Sequence, residues 1–130
     1  MIARILVGLF LVAHGLVHLL YLTPRPEEDR SYPFVPETRW IANVLGMEPR
    51  TAKGFAAALA VATAVAFGFA GCALIVNAAI WQPAAVVASS ISLLLMVLFF
   101  HPWLLIGIAI DIVIIASVIR WHVPAVLFDQ

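Results

Sequence analysis

Four runs of apolar residues, each near the length of a bilayer crossing and each ended by a proline-containing break, leave this chain few folds to choose from. A helix needs about 20 residues at a rise of ~1.5 Å to cross the hydrocarbon layer. The first run, 5–22, is halted by Thr23-Pro24-Arg25-Pro26, because proline removes a backbone donor and clashes with the preceding turn. It is longer than a signal-peptide core and contains two histidines, so we read it as a retained helix. The second run is read as 51–81, with Thr51 as N-cap after Pro49-Arg50 and Gln82-Pro83 as the turn. The third spans 84–100 and ends at His101-Pro102, and the fourth spans 103–121, before Pro124.

Composition removes the soluble alternative. The 130-residue chain is 65% hydrophobic and 11% charged, against about 45–50% and about 25% in soluble domains. So small a domain cannot bury that much apolar surface in its own core, so the excess faces lipid. A β-barrel would need period-two alternation, and the runs lack it. The expected fold is all-α: one transmembrane domain, an integral membrane antiparallel four-helix bundle with a long loop, 23–50, between helices 1 and 2. Short turns make helices 2, 3 and 4 consecutive antiparallel neighbours, and an even number of crossings puts both termini on one side. Net charge is zero and no basic stripe occurs, which excludes a nucleic-acid partner. The lone cysteine, Cys72, cannot form an internal disulfide.

The loop holds five acids (Glu27, Glu28, Asp29, Glu37 and Glu48) and the bases Arg25, Arg30, Arg39 and Arg50. Within it, 37–45 has the spacing of a short interfacial helix with Trp40, Ile41, Val44 and Leu45 on its apolar face, read first as a connector resting on lipid headgroups and second as a cover for the end of the bundle. In helix 2, Ala56, Ala60, Ala64, Gly68 and Cys72 recur every four residues. Such a stripe lets helices approach closely, either inside the bundle or against a second copy or a larger membrane complex. At the opposite end Arg4, Trp81, Arg120, Trp121 and His122 read as an interfacial belt.

Ionisable groups within spans are costly and face the bundle interior. Here they are His14, His18 and Asp111. From helical rise, Asp111, His14 and Ser92 lie roughly 12–13 Å below the loop-side end, and His18 roughly 6 Å below it, level with Gly107. His14, His18 and Tyr21 share a face of helix 1, as Gly107 and Asp111 do on helix 4. The expected polar cluster is therefore His14, His18, Ser92, His101, Gly107 and Asp111, open toward the loop side.

Several uses suit such a cluster. A His–Asp hydrogen bond can fix packing and register. Two histidines four residues apart can ligate a metal, with His101 or Asp111 completing the shell, so the metal candidates are His14, His18 and His101. The intervening Gly-Leu-Val lacks the glutamate of the zinc-protease signature. Haem ligation by His14 or His18, and quinone or small-lipid binding with His14 and Asp111 handling a proton, are further options. No nucleophile triad, phosphate-cradling loop or CxxC is present in the sequence. The reading is a small integral membrane protein, a non-catalytic structural or accessory subunit without a cofactor. The alternatives are a redox or quinone-handling accessory protein and a small transporter.

Two strings carry a resemblance. His-Gly-Leu-Val-His-Leu-Leu-Tyr, within Arg4 to Tyr21, is similar to the opening helix of DoxX-like small membrane proteins. Together with Phe-His-Pro-Trp-Leu-Leu-Ile-Gly-Ile-Ala-Ile-Asp, from Phe100 to Asp111, it also resembles uncharacterised prokaryotic four-span proteins. The resemblance covers about a quarter of the chain. It implies a four-helix bundle in a prokaryotic inner membrane, with cytoplasmic termini, and DoxX itself is associated with quinone-linked sulfur oxidation. The long charged loop departs from a minimal DoxX pattern. Lys and Arg counts alone would put the loop side in the cytoplasm.

Overall fold

Apolar runs of this length have no water to satisfy their backbone in lipid, and each closes its hydrogen bonds internally. The computed structural model describes residues 1–24 and 32–120, and among them all regular structure is helical. The loop residues 25–31, with Arg25, Pro26, Glu27, Glu28, Asp29 and Arg30, lie outside the described residues, as do Trp121, His122 and Pro124. Helix α1 spans Ile2–Val17 and tightens into a 3-10 turn, His18–Leu22. After the loop comes α2, Trp40–Val44, preceded by a 3-10 turn, Pro36–Thr38. Helix α3 is Pro49–Ile75, α4 is Trp81–Leu98, and a 3-10 turn, Pro102–Leu104, leads into α5, Leu105–Arg120. Four of these stretches, Ile2–Leu22, Pro49–Ile75, Trp81–Leu98 and Pro102–Arg120, are long and apolar enough to cross a membrane. The chain is a small multi-pass membrane protein.

The helix boundaries depart from expectation for specific reasons. Helix α3 starts at Pro49, not Thr51, because proline at the first helical position gives up only an N–H that would be unpaired anyway. It stops at Ile75, six residues before the expected Trp81. There Asn77 turns left-handed (φ 60°), Ala78 N–H donates to the Ala73 carbonyl (2.9 Å), and Asn77 N–H donates to Leu74 (3.0 Å). That pair of bonds is a Schellman stop, with asparagine in the place glycine usually takes. The expected turn at Gln82-Pro83 is instead the first turn of α4, where a proline costs no hydrogen bond. The short loop helix is narrower than 37–45 and faces differently. Ala42 is buried and Ile41 packs inward, whereas Val44 and Leu45 are exposed. The Trp40 indole N–H donates to the Val97 carbonyl (2.8 Å), which ties α2 to the end of α4. The segment therefore covers the end of the bundle instead of only resting on headgroups.

In space α1 packs on α3, α3 on α4 and α4 on α5. The α1–α3 seam is closed by glycines. A Cβ on Gly71 would meet the Gly8 carbonyl oxygen at 2.5 Å, and one on Gly15 would meet the Phe67 Cβ at 2.6 Å. The every-fourth-residue stripe of α3 only partly coincides with this seam. Ala56 and Ala60 are wholly buried within the chain, Ala64 and Gly68 are half-buried, and Cys72 is exposed. Each step of four residues rotates about 40° around a helix of 3.6 residues per turn. A strict stripe therefore winds off the packed face, and burial passes to Thr63, Phe67, Ala70 and Leu74. Ala56 and Ala60 are thus packed inside the bundle of this chain.

Candidate functional site

Two apolar clusters fill the bundle. One holds Leu11, Phe67, Ala70, Leu74, Trp81 and Ala88, and the other, toward the loop, holds Tyr21, Ala56, Ala60, Leu95 and Phe99. Between the two clusters lie the buried polar residues His18, of the 3-10 turn after α1, Thr63 of α3, and Ser89 and Ser92 of α4, with the nearly buried His14 of α1 beside them. Asp111 joins this layer from α5, where it is the only buried residue of that helix.

The layer is hydrogen-bonded across helices. His14 Nε2 lies 3.0 Å from Asp111 Oδ1. Asp111 is wholly buried and the His14 side chain is 9% exposed. His18 Nδ1 lies 3.0 Å from the His14 backbone carbonyl. A carbonyl only accepts, so Nδ1 carries the proton, and the lone pair of Nε2 accepts from the Ser92 hydroxyl at 2.7 Å. Aromatic rings wall the two imidazoles. Phe67 meets His14 edge-on (4.9 Å between centroids) and lies near-parallel to His18 (6.3 Å), while Phe10 stacks on His14 at 5.9 Å. Buried polar atoms without a partner among the described residues include Asp111 Oδ2, Ser89 Oγ and Tyr21 Oη.

The structure brings together His14, His18, Ser92 and Asp111, with one adjustment of level. Ser92 partners His18 and not His14. Residues 99–101 leave the helix, so Ser92 stands six residues from the end of α4, about 9 Å, instead of nine residues from His101. The 3-10 turn after Val17 rises about 2 Å per residue, so His18 lies about 8 Å below Leu22 instead of 6. Both shifts bring the pair to one depth. Gly107 lies in the same neighbourhood, but the room expected beside it is filled by Met96, whose Sδ would stand 2.8 Å from a Cβ there.

His101 does not join the cluster, which corrects its place in both the cluster and the metal set. It precedes the last 3-10 turn and caps it, accepting the Trp103 backbone N–H at Nδ1 (3.2 Å). The ligating atoms of His14, His18 and Asp111 instead lie within 4.8 Å of one another. Sequence reasoning also missed Phe67, Thr63 and Ser89. The signal that could have found Ser89 is its spacing of three from Ser92, which puts both on one helical face. Phe67 gave no signal, since it is one apolar residue among many.

A cleft of about 310 Å3 opens against this layer between α1 and α5, lined by His14, His18, Tyr21, Met96, Trp103 and Gly107 among others. A purely apolar groove of about 390 Å3, lined by Phe10, Ala109 and Val113 and sharing Ile106 and Ile110 with the cleft, continues along the same side. A larger cavity, about 430 Å3, lies at the loop end around Pro24, Val35 and Lys53, and shares Tyr21 but neither histidine. The histidine-lined cleft is the one next to groups that can do chemistry. No protein family, curated protein or solved structure matches the chain.

Proposed function

We propose that this chain is a non-catalytic accessory protein of the membrane in which the buried His/Asp/Ser layer locks the outermost helix, α5, onto α1. The observation that carries this reading is the His14–Asp111 bond. Helix α5 lies against α4 and is otherwise turned outward, yet its one buried side chain reaches across to α1 and finds a partner 97 residues earlier in the chain. Lipid supplies no hydrophobic drive between helices, so an interhelical hydrogen bond is one of the few forces able to hold such a helix in place. A double-mutant cycle of His14→Leu and Asp111→Leu, read as unfolding free energy in micelles containing a chelator, should give a coupling of about 0.5–2 kcal/mol. Additive effects would sink the lock.

A second reading is favoured by the cleft: a redox-accessory protein holding a lipophilic molecule with a carbonyl head, of the quinone class. The two imidazoles line the wall, and the Tyr21 hydroxyl, buried without a partner among the described residues, offers a donor. The first-helix string, similar to DoxX-like proteins, supports this assignment, and with it a prokaryotic inner membrane and cytoplasmic termini. Quinone added to nanodiscs should quench the fluorescence of Trp103 in the cleft wall, and Tyr21→Phe should weaken the effect. Labelling of a cysteine added to the long loop from the outside would test the orientation.

A further inference from the structure

We propose that His14, His18 and Asp111 form a binding site for one divalent transition-metal ion of the zinc class, buried in the membrane interior. The donor set is two imidazoles and one carboxylate, a combination that suits zinc, iron and cobalt. Four features of the geometry support it.

First, one ligating atom from each of the three residues already lies within 4.8 Å of the others. Around an ion with bonds of about 2.0–2.2 Å, tetrahedral ligand atoms stand roughly 3.4 Å apart, so side-chain rotation of an ångström or so completes the site. Second, His18 is oriented as a ligating histidine would be. Its Nδ1–H is held by the His14 backbone carbonyl, which fixes the tautomer and leaves the Nε2 lone pair directed at Ser92. An imidazole whose far nitrogen is pinned by a carbonyl is the usual outer arrangement of a metal-bound histidine. Third, Asp111 is wholly buried and its Oδ2 has no partner among the described residues. A buried carboxylate oxygen left unpaired is costly, and a cation removes that cost. Fourth, the His14- and His18-lined cleft gives the site an entry path.

Binding needs one rearrangement at His14. The Nε2–H that now bonds to Asp111 Oδ1 must move to Nδ1, so that Nε2 and the carboxylate both turn to the ion. The Ser92 hydroxyl, displaced from His18 Nε2, or a water then takes the fourth position. This goes beyond the lock. The ion would replace a proton as the link between α1 and α5, and the two claims are measured separately, the lock in chelator and the site in titration.

The test uses the full chain in detergent micelles, stripped with chelator and desalted. Co2+ is titrated into the stripped protein and followed by its visible ligand-field absorption, and a second portion is reloaded with Zn2+, desalted, and its retained Zn2+ counted by elemental analysis. The wild type should retain one ion per chain and show the intense bands of a four-coordinate site. His14→Gln, His18→Gln and Asp111→Asn should each weaken binding at least about tenfold, and His101→Gln should leave it unchanged. A wild type that retains no ion, ligand variants that bind like the wild type, or loss of binding with His101→Gln would each overturn the site. Should a ligand variant fail to fold, X-ray absorption on the zinc-loaded wild type decides. Two imidazole nitrogens at about 2.0–2.1 Å support the site, and a shell without histidine overturns it.

Discussion

Helix α1 has two neighbours on opposite terms. Toward α3 it closes by omission: Gly8, Gly15 and Gly71 lack side chains, and backbones touch where any Cβ would collide. Toward α5 it leaves a cleft and a groove, spanned by one hydrogen bond from His14 to Asp111. Both solve the same problem, since lipid gives helices no hydrophobic reason to associate. The first uses van der Waals contact over a long seam, which is insensitive to protonation and intolerant of bulk. The second uses a single polar tie, which is tolerant of bulk and sensitive to chemistry. The tight side is suited to permanent architecture, and the loose side is where a ligand has room.

The most disruptive way to break this contrast is Gly71→Leu. Its Cβ would meet the Gly8 carbonyl oxygen at 2.5 Å, and backbone cannot move aside as a side chain can. The expected loss is about 3 kcal/mol, read by unfolding in micelles, whereas Gly68→Ala, with nothing within 4 Å, should change stability by about 0.5 kcal/mol or less. Equal effects would dissolve the claim of a dedicated seam.

Next in size is Asp111→Ala, which leaves the His14 donor buried and unpaired and should cost about 1–3 kcal/mol. The double replacement of His14 and Asp111 by leucine should cost less than the sum of the single leucine variants, because it leaves no orphan. Gly107→Ala sharpens the comparison from the cleft, which Gly107 of α5 and Met96 of α4 both line. Its Cβ would meet the Met96 Sδ at 2.8 Å, but that sulfur sits near the end of a flexible chain, so a cost under about 1 kcal/mol is expected. A loss as large as that of Gly71→Leu would show the two sides to be equally rigid.

The smallest effect concerns the loop end. Partial burial, and then the Arg39 charge, lower the His101 pKa below the ordinary histidine value of 6.5. Its Nδ1 also accepts a backbone N–H, a bond that protonation there would break. With a depressed native pKa the unfolded chain binds the proton more readily, so this group's contribution is fully present above pH 6.5 and lost as pH falls through the native pKa. The melting temperature should fall slightly on going from about pH 7.5 to about pH 5, and His101→Gln should remove that part of the fall. An identical pH profile in the variant would show that His101 carries none of it.

Much of this was legible along the chain. Run lengths and proline breaks were enough for four helices, and the cost of charge in lipid pointed to His14, His18 and Asp111 as interior groups. Helical rise placed His14 and Asp111 at one depth, where they are bonded. What was not legible depended on neighbours. The stop at Asn77 sits inside an apolar run and works through two backbone bonds that no composition window detects. His101 looked like a ligand because it borders the loop side, but an extended segment and a 3-10 cap direct it elsewhere. The glycines of the α1–α3 seam gained meaning only when a second helix stood against them.

The amino-acid order by itself determined the solvent, the number of crossings and the buried polar residues, because transfer into lipid is charged residue by residue and needs no partner. The tertiary structure alone decided which of those residues meet. A contact depends on how two helices rotate and end, and a 3-10 turn or a three-residue break moves a side chain by several ångströms, enough to join Ser92 to His18 and to leave His101 outside.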